Sequence, residues 1–169
     1  DRKARLKKSY MVMQDVNYEL FADSVEAECS FGIRNPDQKL VVETLEELGL
    51  ASYRERHPNT LSGGQKQRAA VARALITSPR IVLADEPTGA LDSKATDELL
   101  KLFGQINKMN QTILMVTHSV KAASHADRVL FIKDGEVFHQ IYRGSNTNEQ
   151  LYQKISDTLT MLATGGDQI

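Results

Sequence analysis

Short apolar runs closed by polar residues alternate along this chain with longer stretches whose apolar positions recur every three or four residues, the periodicities of strands and helices. Tyr10 to Met13 reads as a strand, followed by a polar break at Gln14 to Asn17. Ala22 to Phe31, with Val25 and Cys29 four apart, is compatible with a helix, and Asn35-Pro36-Asp37 is a turn. A helix is predicted from Gln38 to Leu48, with Val41, Leu45 and Leu48 on one face and Gly49 ending it. Arg54 to Thr60 contains Pro58 and reads as a connection. Ser62 is placed to cap a helix running to Ile76 that buries Ala69, Ala72, Leu75 and Ile76, with Pro79 marking the exit.

Ile81 to Ala84 and Thr112 to Thr117 are continuous apolar runs, the pattern of strands buried in a parallel sheet. Between them, Ser93 to Met109 places Leu99, Leu102, Phe103 and Ile106 at helical spacing, with Ser93 as the candidate cap. Strand, helix, strand is a βαβ unit, so an α/β sheet with right-handed crossovers is expected. Arg128 to Ile132 and Glu136 to Ile141, joined through Lys133-Asp134-Gly135, read as a hairpin. Asn148 to Leu162 carries Leu151, Ile155, Leu159 and Leu162 on one stripe, and Gly165-Gly166-Asp167 is expected to fray. No repeat and no clear linker interrupts the chain. A single domain over residues 1–169 is expected, with a mainly helical insertion at about 22–78 between core portions at 1–21 and 79–169.

Composition narrows the class. The 169 residues are 41% hydrophobic and 25% charged, with a formal net charge of -1, so no whole-chain field gathers nucleic acid or anionic lipid. Local basicity is confined to Arg2, Lys3, Arg5, Lys7 and Lys8, which read more simply as a solvated approach to the first strand than as a binding arm. No apolar run approaches the roughly 20 residues of a membrane span, so membrane association is expected through a partner. The single cysteine, Cys29, excludes an internal disulfide and reads as a packing residue.

Polar residues at element ends carry the candidate chemistry. Leu61-Ser62-Gly63-Gly64-Gln65 opens the helix continued by Lys66, Gln67 and Arg68. Glycines at a helix mouth admit a ligand close to the backbone, where free amide protons and the positive helix end suit phosphate. The same pair of glycines also fits a tight turn before a capped helix. Asp85-Glu86 ends the second apolar run, where open α/β sheets place ligand chemistry. One carboxylate there can hold Mg²⁺, and an adjacent one can position or deprotonate an attacking water; both also fit solvated charges beyond a core strand. His118 follows the third run and Gln14 the first. His57, His125 and His139 are scattered, which argues against a zinc cluster.

Taken together, these segments resemble ABC-type transporter ATPases. Leu61 to Gln65 is similar to their signature motif, Asp85-Glu86 to the Walker B pair, Gly89-Ala90-Leu91-Asp92 to the D-loop, His118 to the switch histidine and Gln14 to the Q-loop glutamine. The resemblance implies a P-loop NTPase core sheet with an inserted helical signature subdomain, using ATP and Mg²⁺. It implies that Ser62, Gly63 and Gly64 contact the γ-phosphate of ATP held mainly by an opposite subunit, with Gln65 supporting the turn. A second ATP-binding subunit, homo- or heteromeric, is therefore expected, with Asp92 near the boundary. Asp85 and Gln14 would serve the metal, Gln14 would also approach the attacking water, Glu86 would be the general base, and His118 would contact γ-phosphate and help order that water. A transmembrane permease would dock around Gln14 to Ser24, including Tyr18, Leu20 and Phe21, although those residues also fit ordinary core packing. That arrangement places the protein on the inner face of the cell membrane.

The resemblance covers about Lys8 to Gly144 and is uneven. Val12-Met13-Gln14-Asp15 and Asn17 to Phe21 are similar to cobalt and vitamin uptake ATPases of the energy-coupling type. Ala84 to Asp92 and Phe131-Ile132-Lys133-Asp134-Gly135 are similar to lipoprotein-release, antimicrobial-peptide-export or bacitracin-resistance ATPases, a pattern compatible with a hybrid joined near Leu61 to Arg68. No Gly-x-x-x-x-Gly-Lys-[Ser/Thr] occurs in the 169 residues. The parent is thus expected to hydrolyse ATP to drive transport, whereas the isolated chain is expected to be inactive unless another polypeptide supplies the phosphate loop. A soluble ABC-type regulatory ATPase and a non-catalytic fragment are the competing classes; a strongly basic insertion would have favoured a nucleic-acid partner, and none is expected.

Overall fold

The computed structural model describes residues 9–164, so the basic stretch Arg2 to Lys8 and the Gly165-Gly166-Asp167 tail lie outside the described residues. Two compact units result, one running to Val116 and the other beginning at Thr117.

The first unit is built on a sheet of three parallel strands, β1 (Ser9–Val12), β2 (Ile81–Asp85) and β3 (Thr112–Val116), in that spatial order. Val12 is level with Ala84, and Ala84 with Met115. Side chains alternate across a pleated sheet. Tyr10, Val12, Val82, Ala84, Ile113 and Met115 therefore join one apolar core. Met11, Leu114 and Val116 lie on the opposite face and are 49%, 50% and 59% exposed. The expectation of strands buried throughout is corrected: apolar runs occupy both faces, but the helices of this unit pack on one.

Those helices are α1 (Val25–Cys29), α2 (Gln38–Glu47), α3 (Gly63–Ile76) and α4 (Ser93–Lys108). α1 is shorter than the expected Ala22 to Phe31. Ser24 caps it through a bond from the Ala27 amide at 3.1 Å, and the Val25 and Glu26 amides are taken by the Arg56 and Arg54 carbonyls. Asp37 caps α2, and Gly49, at φ +65°, ends that helical segment. α3 is buried on more sides than its periodicity implied. Ala69, Ala70, Val71, Ala72, Ala74 and Ile76 are buried, whereas Leu75 is only half-buried. Alanine's small side chain lets α3 approach β1 and the neighbouring helices closely. The cap of α4 is Asp92 and not Ser93: Asp92 keeps extended backbone and accepts the Ala95 amide at 2.8 Å, while Ser93 is already helical. Helices α1 to α3 share a single apolar cluster with β1 and β2, so the inserted segment is continuous with the sheet core.

The second unit contains α5 (Val120–Ala123), the antiparallel pair β4 (Arg128–Lys133) and β5 (Glu136–Tyr142), and α6 (Asn148–Ala163). Asp134 and Gly135 both take positive φ, the two-residue turn that matches strand twist. α6 starts in a reciprocal cap between Thr147 and Gln150 and buries Leu151 and Ile155 against Phe131. Leu159, placed on the buried stripe by spacing, is 41% exposed, and Thr158 is buried instead. Arg143 fastens this unit, donating to the carbonyls of Ser124 and Ala126 at 2.6 and 3.1 Å and to Asn148 Oδ1 at 2.9 Å. Among the described residues, no helix is long and apolar enough to cross a membrane.

Candidate functional site

The parallel register brings Gln14, just beyond β1, beside the residues that follow β2. Asp85, the last residue of β2, is exposed. Glu86 is half-buried and leaves the strand at φ +43°, a left-handed conformation uncommon for a residue with a Cβ. Its amide is fixed by the Val116 carbonyl at 2.8 Å, and its carbonyl accepts the Gly89 amide at 2.9 Å. This turn directs the chain past the side chain of Gln14. A Cβ placed on Gly89 would stand 2.7 Å from Gln14 Nε2, so the Gln14 amide occupies space that only glycine leaves open. Gln14, Glu86 and Gly89 are thereby gathered at the carboxyl end of the sheet.

A second cluster forms where α3 and α4 begin. Ser62 Oγ accepts the Gln65 amide at 3.4 Å and Gln65 Oε1 accepts the Ser62 amide at 2.9 Å, a reciprocal cap that fixes the first turn. The amides of Gly63 and Gly64 have no intrahelical acceptor at these positions and remain suited to an anion. Gly64 also lets the two helices meet, since a Cβ there would lie 3.0 Å from Ala95 Cβ. The resulting cleft, about 310 Å³, is lined by Ser62, Gly64, Gln65, Asp92 and Lys94, together with the Arg68–Glu98 ion pair at 2.7 Å. Two helix N-termini thus share one opening. His118 is exposed and belongs to the second unit, where the Thr117 hydroxyl accepts the Ser119 amide at 3.0 Å across it.

Helix α3 also grips the segment after Gln14. Lys66 Nζ donates to Asn17 Oδ1 at 2.6 Å, and Gln67 Nε2 donates to the carbonyls of Gln14 and Met13 at 3.2 and 3.4 Å. Nearly two turns further along, Arg73 donates to the Glu19 carbonyl, the Glu28 carboxylate and the Tyr10 hydroxyl, and lies 3.7 Å from the Glu19 carboxylate. Glu19 in turn accepts the Met13 amide at 2.7 Å, and Glu28 accepts those of Phe21 and Ala22 at 2.6 and 2.7 Å. Burial holds the Glu19 carboxyl and the Tyr10 hydroxyl above their usual ranges and pushes the Cys29 thiol up to about 12.

Sequence reasoning did not single out Gln67, Arg73, Glu19 or Glu28. A signal for Gln67 existed, because it shares the buried face of α3 with Val71 and Ala74, four and seven residues on. The open question between docking surface and core packing divides by residue: Leu20 is 5% exposed, whereas Tyr18 and Phe21 are 73% and 66% exposed. Among the described residues, no group of three or more His, Cys, Asp and Glu side chains is arranged to hold a metal. Asp85 and Gln14 end or follow neighbouring strands of the sheet, with Val12 level with Ala84.

A parallel sheet with an acidic strand end, and a glycine-mouthed helix beside it, places the chain in a known class. The model of the ABC transporter family matches residues 1–89, and the chain belongs to that family. The bacitracin export ATP-binding protein BceA of Halalkalibacterium halodurans is 48% identical over 123 residues, 72% of this chain and 48% of that protein. Among solved structures, cbiO1 from Clostridium perfringens, part of the ABC transporter complex cbiONQ, superposes with TM-score 0.78 at 28% identity, covering 93% of this chain and 66% of that one. The ATP-binding cassette MJ0796, solved as a dimer bound to ADP and Pi, gives TM-score 0.65 at 32% identity, covering 84% and 66%. The chain spans about half the length of the BceA relative. A bacitracin export ATP-binding protein and a cbiO structure are thus both similar to this chain.

Proposed function

We propose that this chain is the part of an ABC transporter's ATP-binding subunit that completes and fires a nucleotide site, within a protein that couples ATP hydrolysis to membrane transport. The observation that carries the reading is the meeting of the Gln14 amide with the Glu86 to Gly89 turn. In this reading Glu86 takes a proton from the attacking water, and the bond to the Val116 carbonyl holds its backbone at the strand end. Gln14 orients that water, and His118 steadies the γ-phosphate. Asp85 and Gln14 would hold Mg²⁺, which when bound would neutralise phosphate charge. Ser62 and the amides of Gly63 and Gly64 bind the γ-phosphate of ATP carried by a second subunit, and Asp92 lies at that boundary.

The amides and lysine that cradle the remaining phosphates come, in this proposal, from a further segment of the protein or from a partner polypeptide. Exposed Tyr18 and Phe21 face a transmembrane permease that holds the subunit on the inner membrane surface. Likeness to BceA supports export over uptake. The test is Glu86→Gln in the complete subunit. ATP binding is expected to persist while turnover falls by about 10²–10⁴-fold, the usual contribution of a general base. Turnover equal to that of the unsubstituted protein would reject Glu86 as the base.

A further inference from the structure

Gln67 lies in the helix that Ser62 caps, is 2% exposed, and touches neither the cleft at the helix mouth nor solvent. Its Nε2 reaches the carbonyls of Met13 and Gln14, and two acceptors on that side fix the orientation of the amide. Its Oε1 is buried without a hydrogen-bond partner among the described residues. A buried amide satisfied at one end is a poor stabiliser, because an apolar residue of the same shape would avoid the desolvation of the unpaired oxygen. Hydrophobic packing therefore does not account for glutamine here, at a position whose helical neighbours Val71 and Ala74 are apolar. What glutamine supplies is two bonds to the backbone on which Gln14 is mounted.

We propose that Gln67 is a positioning residue for Gln14: it latches the Met13–Gln14 backbone to α3, so that the Gln14 amide is held against Gly89, and it thereby ties the glycine-mouthed turn to the sheet end. The role rests on the reading that Gln14 serves the reaction, but the latch itself is independent of that reading. Lys66 and Arg73 grip the same segment further along, at Asn17 and Glu19. Gln67 is the grip nearest Gln14. Glycine at 89 makes room for the amide but offers no side chain to hold it, so a latch on the Gln14 backbone is the restraint that defines its place.

The experiment uses Gln67→Met, which keeps length and removes the donor, and Gln67→Glu, in the complete protein that carries this chain. Thermal unfolding, amide exchange of the Asn17, Tyr18 and Glu19 amides, and ATPase kinetics are measured together. Expected for Gln67→Met are a melting temperature no lower than the parent's, about tenfold faster exchange at those three amides with α4 unchanged as internal control, and a reduced kcat with KM for ATP unchanged. Gln67→Glu, which sets a carboxylate against two carbonyls, is expected to speed exchange at least as much. Unchanged exchange at residues 17–19 in both variants overturns the latch, as does a loss of protection spread equally over α4. Faster exchange there with unaltered kcat keeps the latch and removes Gln14 from the reaction, so failure of the two readings is told apart.

Discussion

Replacing Arg73 by methionine removes the cation placed among Glu19, Glu28 and the Tyr10 hydroxyl. Both carboxylates are nearly inaccessible, Glu28 at 0% and Glu19 at 6%, so water cannot take over the role of the guanidinium. Leaving buried charge without its partner costs about 3–5 kcal/mol. The total stability of a domain this size is about 5–15 kcal/mol. At roughly 4 °C per kcal/mol, Arg73→Met lowers the melting temperature of the first unit by roughly 12–20 °C. The second substitution that tests the cause is Glu28→Gln. In the parent it is costly, because Glu28 Oε1 binds Arg73 while Oε2 takes the Phe21 and Ala22 amides. In the Arg73→Met background a glutamine can turn its oxygen to those two amides and its NH₂ to the vacated side, and the buried charge is gone. The pair should therefore recover about 1–2 kcal/mol relative to Arg73→Met alone. Thermal and urea unfolding followed by circular dichroism on the four proteins of the cycle gives the coupling. Losses that simply add, or an Arg73→Met cost below about 1 kcal/mol, would refute the buried network as a stabilising unit.

Three further outcomes follow from the same geometry. Gly89→Ala sets a methyl 2.7 Å from Gln14 Nε2, the end of a flexible side chain, so stability should change by less than about 1 kcal/mol while the ATPase rate of the complete protein falls; an unchanged rate would separate Gln14 from catalysis. Glu19 has its carboxyl raised by burial, which means the folded state holds that proton more tightly than the unfolded one; the stability this gives is full below the ordinary carboxylate value and is lost as pH rises through the raised one. Glu19→Gln, which keeps an acceptor for the Met13 amide, should thus gain stability at pH 7 and show little gain below pH about 4; a variant less stable at pH 7 would contradict this. Cys29, fully buried with its thiol pushed up to about 12, should resist iodoacetamide at pH 8 in the folded protein and react at an ordinary rate in urea, as read by mass spectrometry.

The contrast between what spacing revealed and what it hid has a physical origin. Elements set by backbone chemistry near in sequence were legible: the Ser62 and Gln65 reciprocal cap, the Gly49 stop and the Asp134-Gly135 turn each depend on residues within a few positions. The Asp92 cap was misassigned to Ser93 because both residue types cap equally well, and only the extended backbone at 92 decides between them. Leu159 was misplaced because a stripe of four-residue steps drifts around a straight helix, so that Thr158 and, further on, Leu162 take the inward side instead. The candidate site residues were found by their place at element ends. Their supports were not, since Gln67 and Arg73 act on residues 53 and 54 positions away, a separation at which sequence pattern carries no distance.

That separation gives the site its organisation. The Ser62 to Gln65 turn and the Gln14 loop are far apart in the chain, yet both are fastened to α3, one at its mouth and the other along its buried flank. A helix whose inner face, from Gln67 to Ile76, is closely packed transmits displacement along its length with little loss to side-chain rearrangement. If a ligand at the mouth draws α3 toward it, Gln67 and Arg73 must carry the Met13 to Ala22 segment with it, exposed Tyr18 and Phe21 included. The two grips differ in kind: the Gln67 bonds are neutral and few, and the Arg73 network is charged and buried. The end of the segment beside Gln14 is thus the more easily released, and the end beside Phe21 the more firmly coupled. A spin-label pair on α3 and residue 21 should keep its distance in Gln67→Met and broaden in Arg73→Met; the reverse pattern would place the coupling at the wrong end of the helix.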